Sequence, residues 1–204
     1  KSSVGFILSA VLTSFVVAGG FLCLTSGDTP LDTLGGMVAA DGFSVWMRFL
    51  ILGGLFASTL LSVGWLRDNQ VVKFEIPLLY LLSGVGMLFM VSSTNLLSLY
   101  VSLELSSLCL YVLAAINRDQ LRSTEAGLKY FILGALSSGL LLFGISLVYG
   151  FTATLSYAEI GAILSQMTLP AGAMVGMVFI LAGLVFKISA VPFHMWTPDV
   201  YEGA

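Results

Sequence analysis

Three ionisable side chains, Glu104, Lys129 and Lys187, lie inside long apolar runs. A charge near the centre of a bilayer costs roughly 2.5 to 3.5 kcal/mol on insertion scales, so it persists where partners or water offset that cost. One carboxylate and two amines at such depth suit proton transfer, because burial and neighbouring charge together set how firmly each group holds its proton. Tyr100, Ser107 and Tyr111 flank Glu104 at helical spacings, which puts hydrogen-bonding groups above and below it on one face. A plainer reading is a neutral Glu104 that only ties two helices together.

Lys129 follows Glu125 by four residues, the favourable order for a helical ion pair. Spacing alone fits a boundary pair with a snorkelling Lys equally well. Lys187 precedes Pro192, whose missing N–H leaves the Ile188 carbonyl without its helical donor, so the helix is expected to bend or end there. Backbone groups freed beside a buried amine call for a cavity or an ion path. The alternative is a Lys snorkelling at a helix end. His194, two residues past Pro192, is either a further proton relay or an ordinary interfacial histidine.

These residues need membrane helices to position them. Of the 204 residues, 58% are hydrophobic and 9% charged, with a mean hydropathy of +1.02, the composition of an integral membrane protein. At about 20 apolar residues per crossing, the spans are 4–24, 43–66, 76–92, 95–116, 124–149 and 171–191. The expected fold is therefore an all-α bundle of about six transmembrane helices, the last broken near Pro192, in a single membrane domain over 1–204. Between the last two spans, Ser156 and Glu159 have capping-box spacing ahead of an amphipathic stretch, which predicts a surface helix over 156–167. The helical rise puts Glu104 about 15 Å from the outer end of its span, Lys129 about 8 Å from its inner end and Lys187 about 24 Å from its outer end.

Lys1, Arg67, Lys73, Arg118 and Arg122 fall in one alternate set of linkers, so that side is cytoplasmic, or the matrix side in a mitochondrion. Arg48 lies near the other side, within snorkelling reach of the interface. Thr25 to Gly42, rich in glycine and carrying Asp28, Asp32 and Asp41, reads as an exposed outer loop. Gly53, Gly54, Gly84, Gly86, Gly134, Gly139 and Gly144 suggest close helix contacts. The apolar run after Lys1 is too long for a signal-peptide core, and the chain reads as part of a longer polypeptide.

Cys23 and Cys109 both lie in apolar runs without a CxxC pair, which argues against a disulfide framework or metal cluster. No paired His suits haem, no nucleotide-binding or hydrolase motif appears, and no basic cluster suits nucleic acid. The net charge of -3 fits that exclusion.

The segment Phe186-Lys187-Ile188-Ser189-Ala190-Val191-Pro192-Phe193-His194-Met195-Trp196-Thr197-Pro198-Asp199-Val200-Tyr201-Glu202-Gly203-Ala204 resembles the broken-helix signature of the antiporter-like membrane subunits of respiratory NADH:quinone oxidoreductase, complex I. Its Trp-Thr-Pro-Asp-Val-Tyr-Glu-Gly portion looks like the N type, or subunit 2 type. Leu103-Glu104-Leu105-Ser106-Ser107-Leu108 and Glu125-Ala126-Gly127-Leu128-Lys129-Tyr130 match two further motifs of that family.

The resemblance implies a larger antiporter-like fold of about fourteen membrane helices, each of about 20 residues, of which this stretch is the second through the seventh. It implies that Glu104 is the helix-five carboxylate, Lys129 its helix-six partner and Lys187 the central Lys of a discontinuous helix seven. A proton would move as Glu104 exchanges Lys187 for Lys129, with Glu125 and His194 as further candidates. The implied function is a proton-translocating, non-redox subunit of the oxidoreductase. No cofactor is expected in this chain; NADH, flavin, iron-sulfur clusters and quinone belong to the assembled complex. Expected partners are other membrane-arm subunits, including neighbouring antiporter-like ones, and the lipid bilayer, with no nucleic acid. The expected location is the bacterial inner membrane, with the mitochondrial inner membrane as the alternative. The similar Mrp-type cation/proton antiporters supply a second functional reading, and a scaffold bundle with inert charges a third.

Overall fold

The computed structural model describes residues 36–39, 41–68, 73–166 and 168–204. The expected span 4–24, with Lys1, Cys23, Asp28 and Asp32, lies outside the described residues, as does Met167 at the end of the expected surface helix. The elements are α1 (Gly42–Asp68), α2 (Glu75–Val91), α3 (Leu96–Ala114), α4 (Leu121–Thr152), α5 (Tyr157–Gln166), α6 (Ala171–Lys187) and α7 (Thr197–Gly203). Stretches Gly42–Gly64, Leu96–Ala114 and Leu121–Thr152 are long and apolar enough to cross a membrane, while α2 and α6 are shorter apolar helices. At 32 residues, α4 is about 48 Å long, well beyond a hydrocarbon core of about 30 Å.

Local chemistry sets the helix ends. Asp41 Oδ1 accepts the Ser44 N–H at 2.8 Å and Ser44 Oγ accepts the Asp41 N–H at 3.0 Å, a reciprocal cap that starts α1. The Asn95 side chain caps α3 by accepting the Ser98 N–H at 2.7 Å. Ahead of α5 it is Thr154, not Ser156, whose hydroxyl donates to Glu159, and the Ser156 N–H donates to Thr154 Oγ1 at 3.3 Å. No residue of α5 is buried, in keeping with a surface helix.

Helix α6 ends at Lys187, five residues ahead of Pro192. Ser189 takes a left-handed conformation (φ 55°), its N–H donates to the Phe186 carbonyl at 3.0 Å, and the Ala190 N–H donates to the Val185 carbonyl at 3.1 Å. This Schellman closure satisfies the Val185 and Phe186 carbonyls and stops the helix before Pro192, which in a continued helix would leave the Ile188 carbonyl without a donor. The chain then turns through residues 191–196 and resumes as α7 with Pro198 in its first turn.

The described loops gather at two ends. At one, residues 36–39, 92–95 and 154–157 run side by side, with bridges Val38–Ser93 and Asn95–Ser156. Arg48 does more than snorkel there: it donates to Ser92 Oγ (2.9 and 2.5 Å) and to the Ala39 carbonyl (3.3 Å), tying α1 to the end of α2. At the other end, Lys73 donates to the Ile116 carbonyl at 2.6 Å and Arg122 pairs with Glu202 on α7. The described basic loop residues Lys73, Arg118 and Arg122 therefore collect on α7's side, the pattern the positive-inside rule associates with an inner face.

The most extensive packing is α4 on α6, followed by α2 on α3. A Cβ on Gly144 would stand 2.6 Å from the Gly176 carbonyl, so small residues there set the α4–α6 distance. Gly53, Gly54 and Gly139 have nothing within 4 Å and make no such contact among the described residues. Leu141 and Val148 of α4 are almost fully buried against Leu96 and Leu103 of α3, which fixes α4 between α3 and α6.

Candidate proton-transfer site

Helices α3, α4 and α6 bring four of the site's polar side chains to Lys187. Its Nζ donates to Glu104 Oε1 (3.3 Å), Ser107 Oγ (3.0 Å) and Tyr111 Oη (3.0 Å), and Ser138 Oγ of α4 donates to the same Glu104 oxygen. Glu104, Ser107 and Tyr111 share one face of α3 because spacings of three and four residues bring side chains back round the helix. Lys187 meets that face because α6 ends on it, and the carbonyl end of a helix favours a cation.

The Glu104–Lys187 pair is largely buried, with side-chain exposures of 21% and 12%. Two unpaired charges at that burial would be strongly destabilising, whereas a hydrogen-bonded pair is tolerated. An ammonium has three N–H donors, and Glu104, Ser107 and Tyr111 supply three acceptors. The Tyr111 ring also lies 5.5 Å from Nζ, within cation–π range.

The other sequence candidates lie apart from this cluster. Lys129 pairs with Glu125 Oε1 at 2.8 Å and with Asp199 Oδ2 at 2.7 Å, and its side chain is 43% exposed. Glu104 and Lys129 make no ion pair with each other in this structure. The length of α4 explains the difference: Lys129 sits in its inner third, where the helix reaches toward α7. His194 is exposed in the turn between α6 and α7. Tyr100 packs against the apolar cluster around Leu103.

An aromatic chain links the two clusters. Tyr111 meets Tyr130 edge-on at 4.5 Å, Tyr130 stacks on Trp196 at 4.6 Å, and Trp196 stacks on Phe186 at 5.6 Å. Tyr130 follows Lys129 in sequence, and Trp196 immediately precedes the helix that carries Asp199. Aromatic pairs of this kind add about 0.5 to 1.5 kcal/mol beyond the area they bury, so this segment is held firmly beneath Lys187.

Two site residues escaped the sequence reading. Ser138 was one hydroxyl among many in the spans, and only the facing of α4 and α3 singles it out. Asp199 was visible within the Trp-Thr-Pro-Asp stretch, but nothing local points it at a residue seventy positions earlier.

Comparison with known proteins agrees with this architecture. The family model described as NADH:quinone oxidoreductase/Mrp antiporter, TM, matches residues 93–204, more than half of the chain and all of the site. NADH-quinone oxidoreductase subunit N 1 of Rhizobium meliloti is 55% identical over 189 residues, covering 93% of this chain and 39% of that protein. A chain of respiratory complex I from Thermus thermophilus with bound Aureothin superposes with a TM-score of 0.80 at 34% identity, covering 98% of this chain and 43% of that one. A chain of the Mrp complex from Dietzia sp. gives a TM-score of 0.74 at 21% identity over 97% of this chain and 39% of its own, a likeness of fold alone. The chain thus spans about two fifths of the length of these relatives. A shared helical architecture and a family-model match over residues 93–204 lead to one conclusion: the chain belongs to the transmembrane family common to NADH:quinone oxidoreductases and Mrp antiporters.

Proposed function

We propose that this chain is part of an N-type membrane subunit of an NADH:quinone oxidoreductase and that it passes protons through Lys187 under the control of Glu104. The observation that carries the reading is the largely buried Glu104–Lys187 pair, with three acceptors arranged around one ammonium. While Glu104 stays close, its charge favours the ammonium; when it withdraws, burial favours the neutral amine and the proton leaves. The exchange in which Glu104 turns to Lys129 requires Lys129 to give up Glu125 or Asp199, which makes α7 the element whose movement would permit it. Glu125 and Asp199 set Lys129's availability, and His194, exposed on the inner side, is a further relay.

In this reading the subunit contributes no redox centre to the translocase, and NADH, flavin, iron-sulfur clusters and quinone are bound elsewhere in the complex. Its neighbours are other membrane-arm subunits, antiporter-like ones among them, in the bacterial inner membrane. The similarity to subunit N 1 of Rhizobium meliloti favours this over the Mrp-type antiporter, for which the support is the shared family model and a likeness of fold. In the full-length subunit within its complex, Glu104→Gln or Lys187→Met is expected to leave electron transfer to artificial acceptors intact and to lower the proton-to-electron ratio in proteoliposomes. An undiminished ratio with both variants would overturn the proposal.

A further inference from the structure

Trp196 stands where the Lys129 clamp and the Lys187 cluster meet. Its buried ring stacks on Tyr130 of α4, 4.6 Å away and within 9° of parallel, and on Phe186, the residue before Lys187, at 5.6 Å. Trp196 also caps α7, where its carbonyl accepts the Val200 N–H at 3.2 Å. Asp199, three residues on, lies one turn further along the same side, so the carboxylate that holds Lys129 and the indole that touches Tyr130 move as one piece. Tyr130 in turn meets the Tyr111 ring edge-on at 4.5 Å. The Tyr111 ring has few other places to go: Phe131 is edge-on at 5.9 Å, and Gly134 lies so close that even a Cβ there would collide with Oη. The 3.0 Å hydrogen bond from Lys187 to Tyr111 therefore depends on where Tyr130 holds that ring. A shift of about 0.6 Å breaks it, because a contact at about 3.6 Å is no longer a hydrogen bond.

We propose that Tyr130 and Trp196 are positioning residues whose rings couple the Lys129–Asp199 pair to the Tyr111 hydroxyl, a coupling that rests on the assignment of Lys187 as a proton carrier. When Asp199 releases Lys129, α7 carries Trp196 with it, Tyr130 follows the ring it stacks on, and Tyr111 withdraws from Lys187. The consequence is read in acceptors. Loss of Glu104 alone leaves the Lys187 ammonium with Ser107 and Tyr111; loss of Tyr111 in the same movement leaves it with Ser107 only, and the proton is free to go. The coupling runs both ways, so a proton arriving on Lys187 draws Tyr111 in and favours the clamped α7. Stacked and edge-on contacts are properties of rings, and the Tyr130 hydroxyl is not among the three acceptors of Lys187. The ring of Tyr130, not its hydroxyl, carries the effect.

The test is a double-mutant cycle in the full-length subunit within its complex, reconstituted in proteoliposomes, with electron transfer to artificial acceptors as the check on assembly. Asp199→Asn, which weakens the clamp, and Tyr130→Leu, which removes the ring, are each expected to lower the proton-to-electron ratio. The pair together is expected to lower it no further than the stronger of the two alone. Tyr130→Phe, which keeps the ring, is expected to restore what Tyr130→Leu loses. Trp196→Leu interrupts the same contacts from the turn outside α4 and takes the place of Tyr130→Leu in the cycle should that variant fail to assemble. Effects of Asp199→Asn and Tyr130→Leu that add would show rings that only fill space and would overturn the proposal. So would a Tyr130→Phe variant as impaired as Tyr130→Leu, since the hydroxyl would then be the working group. An unchanged ratio in Asp199→Asn or in Tyr130→Leu, in membranes where Lys187→Met lowers it, would overturn the coupling and leave the role of Lys187 standing. An unchanged ratio in Lys187→Met itself would remove both.

Discussion

Replacing Gly134 with alanine tests the geometry of the Lys187 cluster with a single methyl group. A Cβ at that position would stand 2.1 Å from Tyr111 Oη and 2.6 Å from its Cζ. Tyr111 is 4% exposed and has Tyr130 and Phe131 edge-on at 4.5 and 5.9 Å, so its ring has little room to retreat. Alanine gains about 1 kcal/mol over glycine in a helix interior, overpacking costs about 1 to 3, and pushing the hydroxyl off the Lys187 ammonium loses a charged hydrogen bond of about 1.5 to 3. The expected net effect is destabilisation by about 1.5 to 5 kcal/mol. Gly139, five residues on in the same helix, has nothing within 4 Å, so Gly139→Ala keeps only the helical gain. Thermal denaturation of the solubilised complex and the proton-to-electron ratio are the assays. Gly134→Ala should lower the midpoint and the ratio, while Gly139→Ala should lower neither. Equal behaviour of the two variants would refute the placement of Tyr111 against α4.

The cap of α1 gives a pH dependence with a definite sign. The Ser44 backbone N–H, followed by the Ser44 hydroxyl, holds the Asp41 carboxyl below the usual carboxylate range. A depressed folded value adds stability above the unfolded value of about 3.9, and that stability is lost as pH falls through the folded value. Amide exchange at Ser44 should therefore quicken only below about pH 4, and Asp41→Ala should remove that dependence at a cost toward the lower end of about 0.5 to 2 kcal/mol, because Asp41 is exposed. For Asp199→Asn, the half-exposed pairing with Lys129 means that only a small loss of stability is expected. That loss, read by thermal denaturation, should shrink toward zero near 1 M salt, where the screening length is about 3 Å.

Much of the fold is legible along the chain because membrane insertion is governed by local composition. The apolar runs 43–66, 76–92, 95–116, 124–149 and 171–191 overlap α1, α2, α3, α4 and α6, since about 20 apolar residues can meet their backbone hydrogen bonds in lipid only as helices. The polar face of Glu104, Ser107 and Tyr111 was equally legible, because the 3.6-residue period is a property of one helix. So was the interruption after Lys187, because Pro192 removes a donor whatever surrounds it. Partner choice was not. Whether Glu104 faces Lys187 or Lys129 depends on how α3, α4 and α6 rotate and slide against one another, and those offsets are set by contacts such as Gly144 on Gly176 that no single helix encodes. Gly134 and Gly139 look alike in the sequence, yet one makes room for the Tyr111 hydroxyl and the other faces open space. Ser138 became a site residue, and Lys129 a residue of the α7 clamp, only when the helices packed: composition decides that charges enter the membrane, and helix packing decides which charges meet.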